Sequence, residues 1–462
     1  MKKFAIILGS IFAFLFLLFL VFTDFVDNTS YFDSDYYKIS SLRADSLKKT
    51  TVAVEDRFQA GFAKVSITPG LHYDEDNYLE GKFREVPLSG YGDRKGKPAT
   101  GIHDSIFVKA VALEAGGQTI VFVTADLLIM PHNIIDSVTM LLSREGIKRE
   151  QLFFSATHTH SSLGGWGPGY VGKQFSGAEN KNIQRFLALR ISEAVTAAIS
   201  DLHPARIGTG SFDAGAYTRN RLIGSSGTKN GDFGFISIEQ TGHKRAIIGS
   251  FAAHTTTLGG DNMKISADYP GFWAAKMENA SYDLALFFAG SMGSQSAVAE
   301  GSGFERSRFL GEALADSLIM KLAGVTHHDK AEFSHVSLLM ELPDYRMRIT
   351  RNLTLSSFIN KKLMPLPESP YLQAVRIGDA VWITTPADFS GEYALQIHNS
   401  LAAKGFHGNV TSFNGSYVGY IVPGRYYYMD SYESKLMGWF GPNMGEYTMD
   451  LIRQISDIVT GG

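Results

Sequence analysis

The sequence predicts a mixed α/β protein, with β-sheets flanked by helices in one body and a membrane helix ahead of it. Three observations carry that expectation. Runs of β-type residues alternate with helical periods through residues 59–462, as strands and their covering helices do. No internal repeat, low-complexity tract or long Pro/Gly linker interrupts them, so one body is the economical division. Ahead of it, residues 4–23 form an apolar run without a charge.

That run, FAIILGSIFAFLFLLFLVFT, follows Lys2 and Lys3 and is closed by Asp24 and Asp27. At about 1.5 Å per residue it reaches about 30 Å, the thickness of a hydrocarbon core. Two readings fit, a cleaved signal sequence and an uncleaved anchor. The run is long for a signal peptide and no small-x-small site follows it, which favours the anchor. The positive-inside tendency then keeps Lys2 and Lys3 cytoplasmic and puts the body on the periplasmic or extracellular side; cleavage would leave it secreted. Residues 1–25 are therefore read as anchor or signal sequence. Residues 26–58 are polar, lack a sustained apolar period, and are expected to form a tether. The body is expected over 59–462.

Within the body, VKAVALEAGG and QTIVFVTADLL read as two strands around a Gly-Gly turn, NIIDSVTMLLSREG as a helix, and QLFFSATH as a strand ending in a histidine. A long helix is expected across 178–202, then strands near 205–212, 232–240, 245–253 and 283–289. A helix over 303–323, strands near 332–342 and 370–384, a helix from 390 to 403, a strand at 409–414 and a final helix near 446–459 complete the pass.

Composition narrows the chemistry. The 462 residues carry 43 Lys+Arg against 46 Asp+Glu, a net charge of −3, with 44% hydrophobic and 19% charged residues. Disorder, fibres and nucleic-acid binding driven by bulk charge are excluded on that balance. There is no cysteine, which removes disulfides, thiolate metal sites and a cysteine nucleophile. A metal would have to be held by His, carboxylate or phenolate.

The polar residues of interest stand at the ends of apolar runs, where α/β folds open their sites. His158 and His160 follow LFFSAT, and His254 ends IIGSFAAH. A strand-end histidine usually bonds only to backbone, but two such ends together suggest metal ligation. The tract AGSMGSQSA, 289–297, exposes small residues after a strand and offers Ser291, Ser294 or Ser296 as nucleophile or donor. Gly164, Gly165, Gly167 and Gly169 around Trp166 suggest a mobile rim.

At these residues the chain resembles the neutral (non-lysosomal) ceramidases. THTHSSLGGWGPG is similar to that family's THTHSGPGG, GIHDSIFVKAVALE to its GIHDPLxARAxxLE, TRNRL to its NRS block, and FAAHTTTL to its PVHSTSM block. SADYPG, WITTPADF, SYVGYIVPGRYY and YESKLMGWFGP follow in the family's order, so the likeness spans about 60–450.

The resemblance implies a single ceramidase-like catalytic domain and a zinc-dependent amidase that cuts the N-acyl bond of ceramide. It makes His158, His254, Asp388 and Tyr420 the zinc ligands, with Asp388 standing where the family has glutamate. It makes Ser296 the catalytic serine, within a segment that departs from the family's GDxSPN: Ser294 replaces the acidic or amide residue, and Ala297 and Val298 replace Pro-Asn. Arg221, His160 and Tyr432 are implied as substrate-binding residues, and His103 and Asp104 belong to a signature that holds structure or function. The family's C-terminal immunoglobulin-like domain is expected to be absent. Implied partners are a lipid amide and the membrane, and no nucleic acid. The altered serine segment leaves two other readings open, a hydrolase of another amide and a non-catalytic membrane-tethered lipid binder.

Overall fold

A computed structural model describes residues 2–242, 244–367 and 369–461. The helices are α1 (Lys2–Phe22), α2 (Asp35–Thr50), α3 (His132–Ser143), α4 (Gly169–Ser176), α5 (Lys181–Ser200), α6 (Asp268–Asn279), α7 (Gly303–Leu322), α8 (Ser357–Leu363), α9 (Gly391–Ala402) and α10 (Met444–Thr460). The strands of the two main sheets are β1 (Val54–Arg57), β2 (Gln59–Ser66), β3 (Phe107–Ala115), β4 (Gln118–Ala125), β5 (Leu152–Ala156), β6 (His203–Asp213), β7 (Asp232–Gln240), β8 (Arg245–Phe251), β9 (Leu284–Ala289), β10 (Lys330–Leu339), β11 (Tyr371–Ile377), β12 (Ala380–Thr384) and β13 (His407–Thr411).

Eight strands pair in the order β9-β8-β7-β6-β2-β3-β4-β5, and five in the order β1-β10-β11-β12-β13. Most neighbours are antiparallel, whereas β4 with β5, β8 with β9, and β12 with β13 run parallel. The β3–β4 hairpin turns through Gly116 and Gly117 at φ 55° and 76°, the left-handed pair that a two-residue turn of the strands' own twist requires.

Alternation along each strand builds the layers. Val111 and Leu113 of β3 point into a core shared by both sheets, with Phe122, Phe153, Phe288 and Trp382. Ala110 and Ala112, one residue out of phase, join Ile134 of α3 and Leu187 and Ile191 of α5 on the other face. Leu310 and Leu314 of α7 pack with Trp273 of α6 and Phe287. On the far side of the five-stranded sheet, Val336, Leu372 and Val381 meet Ile452 and Ile455 of α10. The architecture is therefore two stacked sheets with helices on both outer faces, the mixed α/β class expected from the alternating pattern.

The tether expectation is corrected. Residues 26–58 hold α2 and β1, and both are folded onto the body. β1 pairs with β10, Ser40 and Ala44 of α2 are buried, and Ser40 Oγ is 2.8 Å from Tyr447 Oη of α10. Tyr36, Tyr37 and Leu47 of α2 pack against the core beside Ser40 and Ala44, with Tyr36 and Tyr37 edge-on to Tyr447; the stripe is only half-buried and is set among polar and charged residues, so it gives no clear apolar period in the sequence. α1 has no buried residue and is long and apolar enough to cross a membrane. A three-residue strand after it, Thr23–Phe25, pairs antiparallel with Leu353–Leu355.

Candidate metal centre and active site

Parallel pairing brings several strand ends to one place. β5 leads into Thr157 and His158, β8 into His254, and β9 into the serine tract. From the other sheet, β12 leads to Asp388–Phe389, which pairs in parallel with Tyr420–Ile421 so that Asp388 lies beside Tyr420. The four residues implied as metal ligands thus come from three separate crossovers, all ending at one edge of the sandwich.

His158 takes a left-handed backbone conformation, φ 60°, which is costly for a side chain with a Cβ and persists where surrounding contacts impose it. Those contacts are visible. Its ring stacks on Phe413 at 4.3 Å between centroids, and its Nδ1 lies 2.6 Å from Leu128 O. A carbonyl can only accept, so Nδ1 carries the proton and Nε2 presents a lone pair. That Nε2 is 3.0 Å from His254 Nε2 and 3.3 Å from His160 Nε2. His254 Nδ1 faces Met292 O at 3.4 Å, which places its lone pair, too, towards His158.

The three imidazoles are buried or half-buried and their ligand nitrogens lie within 4.8 Å of one another. Asp388 Oδ1 approaches His158 Nε2 at 3.5 Å and His254 Nδ1 at 3.9 Å, and it is buried with no hydrogen-bond partner. His160 Nδ1 is likewise buried and unpartnered. Burial pushes His158 down to about 3, and His160 and His254 well below the ordinary histidine range. Facing lone pairs on neutral rings beside an unpartnered buried carboxylate repel one another until a cation sits among them. The donor set of imidazole nitrogens and a carboxylate oxygen suits zinc or another borderline divalent metal. The residues therefore fit a metal, and the geometry adds His160 to the cluster although the resemblance gave it a substrate role.

Supporting groups hold this arrangement. Tyr417 Oη donates to Asp388 Oδ2 at 2.7 Å. Burial raises Asp388 to about 7 against the lowering effects of Tyr417 and Arg221. Arg221 Nη2 donates to Tyr420 Oη at 2.9 Å, and its Nε pairs with Glu433 Oε1 at 2.9 Å. Arg221 is thus engaged by protein groups. Arg94, itself buried, donates to the carbonyl of His160 and to those of Ser89, Gly259, Gly260 and Asn262, clamping the loop that carries His160. Tyr432 is half exposed and meets Tyr420 edge to face at 5.7 Å.

Ser296 stands in a short strand, Gln295–Ala297, paired with Thr218–Asn220. Its Oγ accepts from Arg219 Nε at 3.1 Å, and among the described residues that is its one hydroxyl contact. Ser294, two residues earlier, donates instead to Glu392 Oε2 inside the protein. Glu392 also accepts from Ser390 Oγ at 2.6 Å and from Asn220 Nδ2 at 2.6 Å. The carboxylate that the serine segment lacks at position 294 is thus supplied by α9. Gly293 has no room for a side chain, because a Cβ there would lie 2.4 Å from Asp388 O.

The glycine rim is packed, not mobile: Trp166 is buried and donates to Leu163 O, and a Cβ on Gly164 would meet Ser176 O at 2.1 Å. The glycines serve close backbone approach. His103 and Asp104 hold structure, with Asp104 Oδ1 accepting from Ala267 N at 2.8 Å and His103 stacked on Phe304 at 3.5 Å. Phe413, Arg94 and Glu392 had no local motif to mark them, and Leu128, Tyr417 and Glu433, though inside the quoted segments, carried no sign of their roles, which arise from contacts across the chain.

Residues 77–226 match the family model described as neutral/alkaline non-lysosomal ceramidase, N-terminal. That span contains His158, His160 and Arg221. The fold is similar to the crystal structure of neutral ceramidase from Pseudomonas aeruginosa, with a TM-score of 0.74 and 18% identity, covering 88% of this chain and 75% of that one. A structure of ceramidase complexed with C2 matches with the same TM-score of 0.74 and 18% identity, again covering 88% and 75%.

Proposed function

We propose, for a chain that resembles the neutral/alkaline non-lysosomal ceramidases, a zinc-dependent amidase hydrolysing the N-acyl bond of ceramide or a related N-acyl lipid to fatty acid and sphingoid base. The observation that carries it is the convergence of His158, His254 and the unpartnered Asp388 Oδ1 in one buried cluster, beside the serine tract of a ceramidase-like fold. His158, His254, Asp388 and Tyr420 would hold the metal, with His160 beside them. Zinc supplies, when bound, Lewis-acid polarisation of the amide carbonyl and a lowered pKa for water.

The remaining chemistry belongs to the chain. Leu128 O and Phe413 set the tautomer and tilt of His158. Tyr417 steadies Asp388, and Glu433 holds Arg221 against Tyr420. His160, held by Arg94 through its carbonyl, offers its one ring N–H to the oxygen on which negative charge develops. Ser296 accepts from Arg219, so its own O–H is free to donate a hydrogen bond at the reacting amide, while the proton that the leaving amine takes is the one given up by the attacking water. Tyr432 presents an aromatic surface at the mouth for an alkyl chain. α1 anchors the protein in the bilayer that contains the substrate, with the body on the non-cytoplasmic side.

Hydrolysis of a labelled N-acyl-sphingoid amide by the full chain, with metal content measured on the same sample, tests this. Stoichiometric zinc is expected, with turnover abolished by a chelator and by His158→Ala and strongly reduced by Ser296→Ala. Unchanged turnover in both variants would overturn the mechanism. Bound metal with cleavage confined to other amides would reassign the substrate, and a metal-free, inactive protein after zinc loading would make it a lipid binder.

A further inference from the structure

The last residue of α1 is tied directly to a short helix on the body. Ser356, which precedes α8, donates its backbone N–H to Phe22 O at 3.0 Å, and Val26 N donates to Asn352 O at 3.0 Å. Between them the pairing of Thr23–Phe25 with Leu353–Leu355 leaves no free linker. Whatever depth Phe22 occupies in the bilayer surface, the start of α8 shares it to within a hydrogen bond.

α8 has the two faces that such a position needs. Inward, Asn360 is fully buried and donates to Tyr345 O at 3.0 Å and Leu355 O at 3.1 Å, and Met364 is buried beyond it. Outward stand Phe358, 60% exposed, and the exposed Lys361 and Lys362, with Lys362 Nζ over the Phe358 ring at 4.3 Å. An aromatic ring flanked by lysines suits the boundary between acyl chains and phosphates. The end of α8 also abuts α4: a Cβ on Gly169 would lie 2.6 Å from Leu363 O. α4 follows the packed segment after His158 and His160, and its Tyr170 is 66% exposed.

We infer that α8, with Tyr170 at the start of α4, is a membrane-docking platform that rests on the leaflet from which α1 emerges. Phe358 enters the interfacial layer, Lys361 and Lys362 contact lipid phosphates, and the rim leading to the histidine cluster is held at the bilayer surface instead of swinging on a tether. The partner is the bilayer itself, because the continuous hydrogen bonding from α1 leaves α8 no distance from it. The inference rests on the reading of α1 as a membrane span.

The chain has no cysteine, so single labels can be placed without background. Full-length protein carrying an environment-sensitive dye at Phe12→Cys, Phe358→Cys or Met320→Cys is reconstituted into vesicles of phosphatidylcholine and phosphatidylglycerol with brominated acyl chains. Met320 is exposed on α7. Quenching at Phe358→Cys at least about twofold above that at Met320→Cys is expected for an interfacial site, and Lys361→Glu with Lys362→Glu should reduce it. Strong quenching at Phe12→Cys with Phe358→Cys no different from Met320→Cys overturns the platform and leaves the anchor standing. No quenching at Phe12→Cys overturns both. Neither result depends on amide hydrolysis.

Discussion

Glu392 is the group on which the serine segment depends most, and its removal has a calculable consequence. Three donors converge on one buried carboxylate: Asn220 Nδ2, Ser294 Oγ and Ser390 Oγ. Glu392→Ala leaves all three without this acceptor, and an orphaned buried donor costs about 1–3 kcal/mol. Asn220 has a second partner, Thr228 O at 3.0 Å, and the serine hydroxyls can rotate, so the sum falls to about 3–5 kcal/mol. Glu392→Gln keeps an acceptor oxygen and should cost about 1–2 kcal/mol. Denaturant unfolding of parent and both variants, followed by tryptophan fluorescence, measures these values. Ser294→Asp added to Glu392→Ala returns a carboxylate to the same place and should recover part of the loss. A cost below about 1 kcal/mol for alanine, or equal costs for alanine and glutamine, would refute the claim that a buried charge organises this segment.

Three further outcomes are expected. Burial raises Asp126 to about 6, above the value of about 3.9 in an unfolded chain, so the folded state keeps a proton that the unfolded state has released between those values. The contribution of Asp126 to stability therefore falls as pH rises from about 4 to about 6, by up to about 3 kcal/mol, and Asp126→Asn should remove it; a pH-independent difference between parent and variant would contradict it. Gly293→Ala forces a Cβ against Asp388 O and should cost about 1–3 kcal/mol in unfolding while weakening metal retention on dialysis. Metal removal by a chelator should lower the melting midpoint, by the equivalent of about 2.7 kcal/mol when the metal is at 100 times its dissociation constant; His158→Ala should melt at the same temperature with or without chelator.

Much of this was legible beforehand because it is local. The β3–β4 hairpin announced itself through two apolar runs and a Gly-Gly turn, α5 through apolar residues at helical spacing from Ile183 to Ala198, and α1 through an uncharged run. Failures fell where contact replaces periodicity. α2 is polar along most of its length and docks by Ser40 and Ala44 with the half-buried Tyr36, Tyr37 and Leu47 beside them. The glycines around Trp166 look like a flexible loop in sequence but are needed because Ser176 O and Gly172 O pass within van der Waals distance.

Local sequence was enough for the α/β class, a body free of thiol chemistry, the apolar N-terminal helix, and the residue types from which a site could be made: His158 and His160 two positions apart, His254 at another strand end, a serine tract after a third strand. That these residues meet follows only from the packed fold. His158 and His254 are 96 positions apart yet 3.0 Å apart in space, and Asp388 reaches them from the second sheet. The reason is physical: strand periodicity is written in neighbouring residues, whereas the parallel pairing that brings the ends of β5, β8 and β12 to one edge follows from which apolar faces bury against which. The same packing brings Glu392 to the serine segment and ties the start of α8 to Phe22.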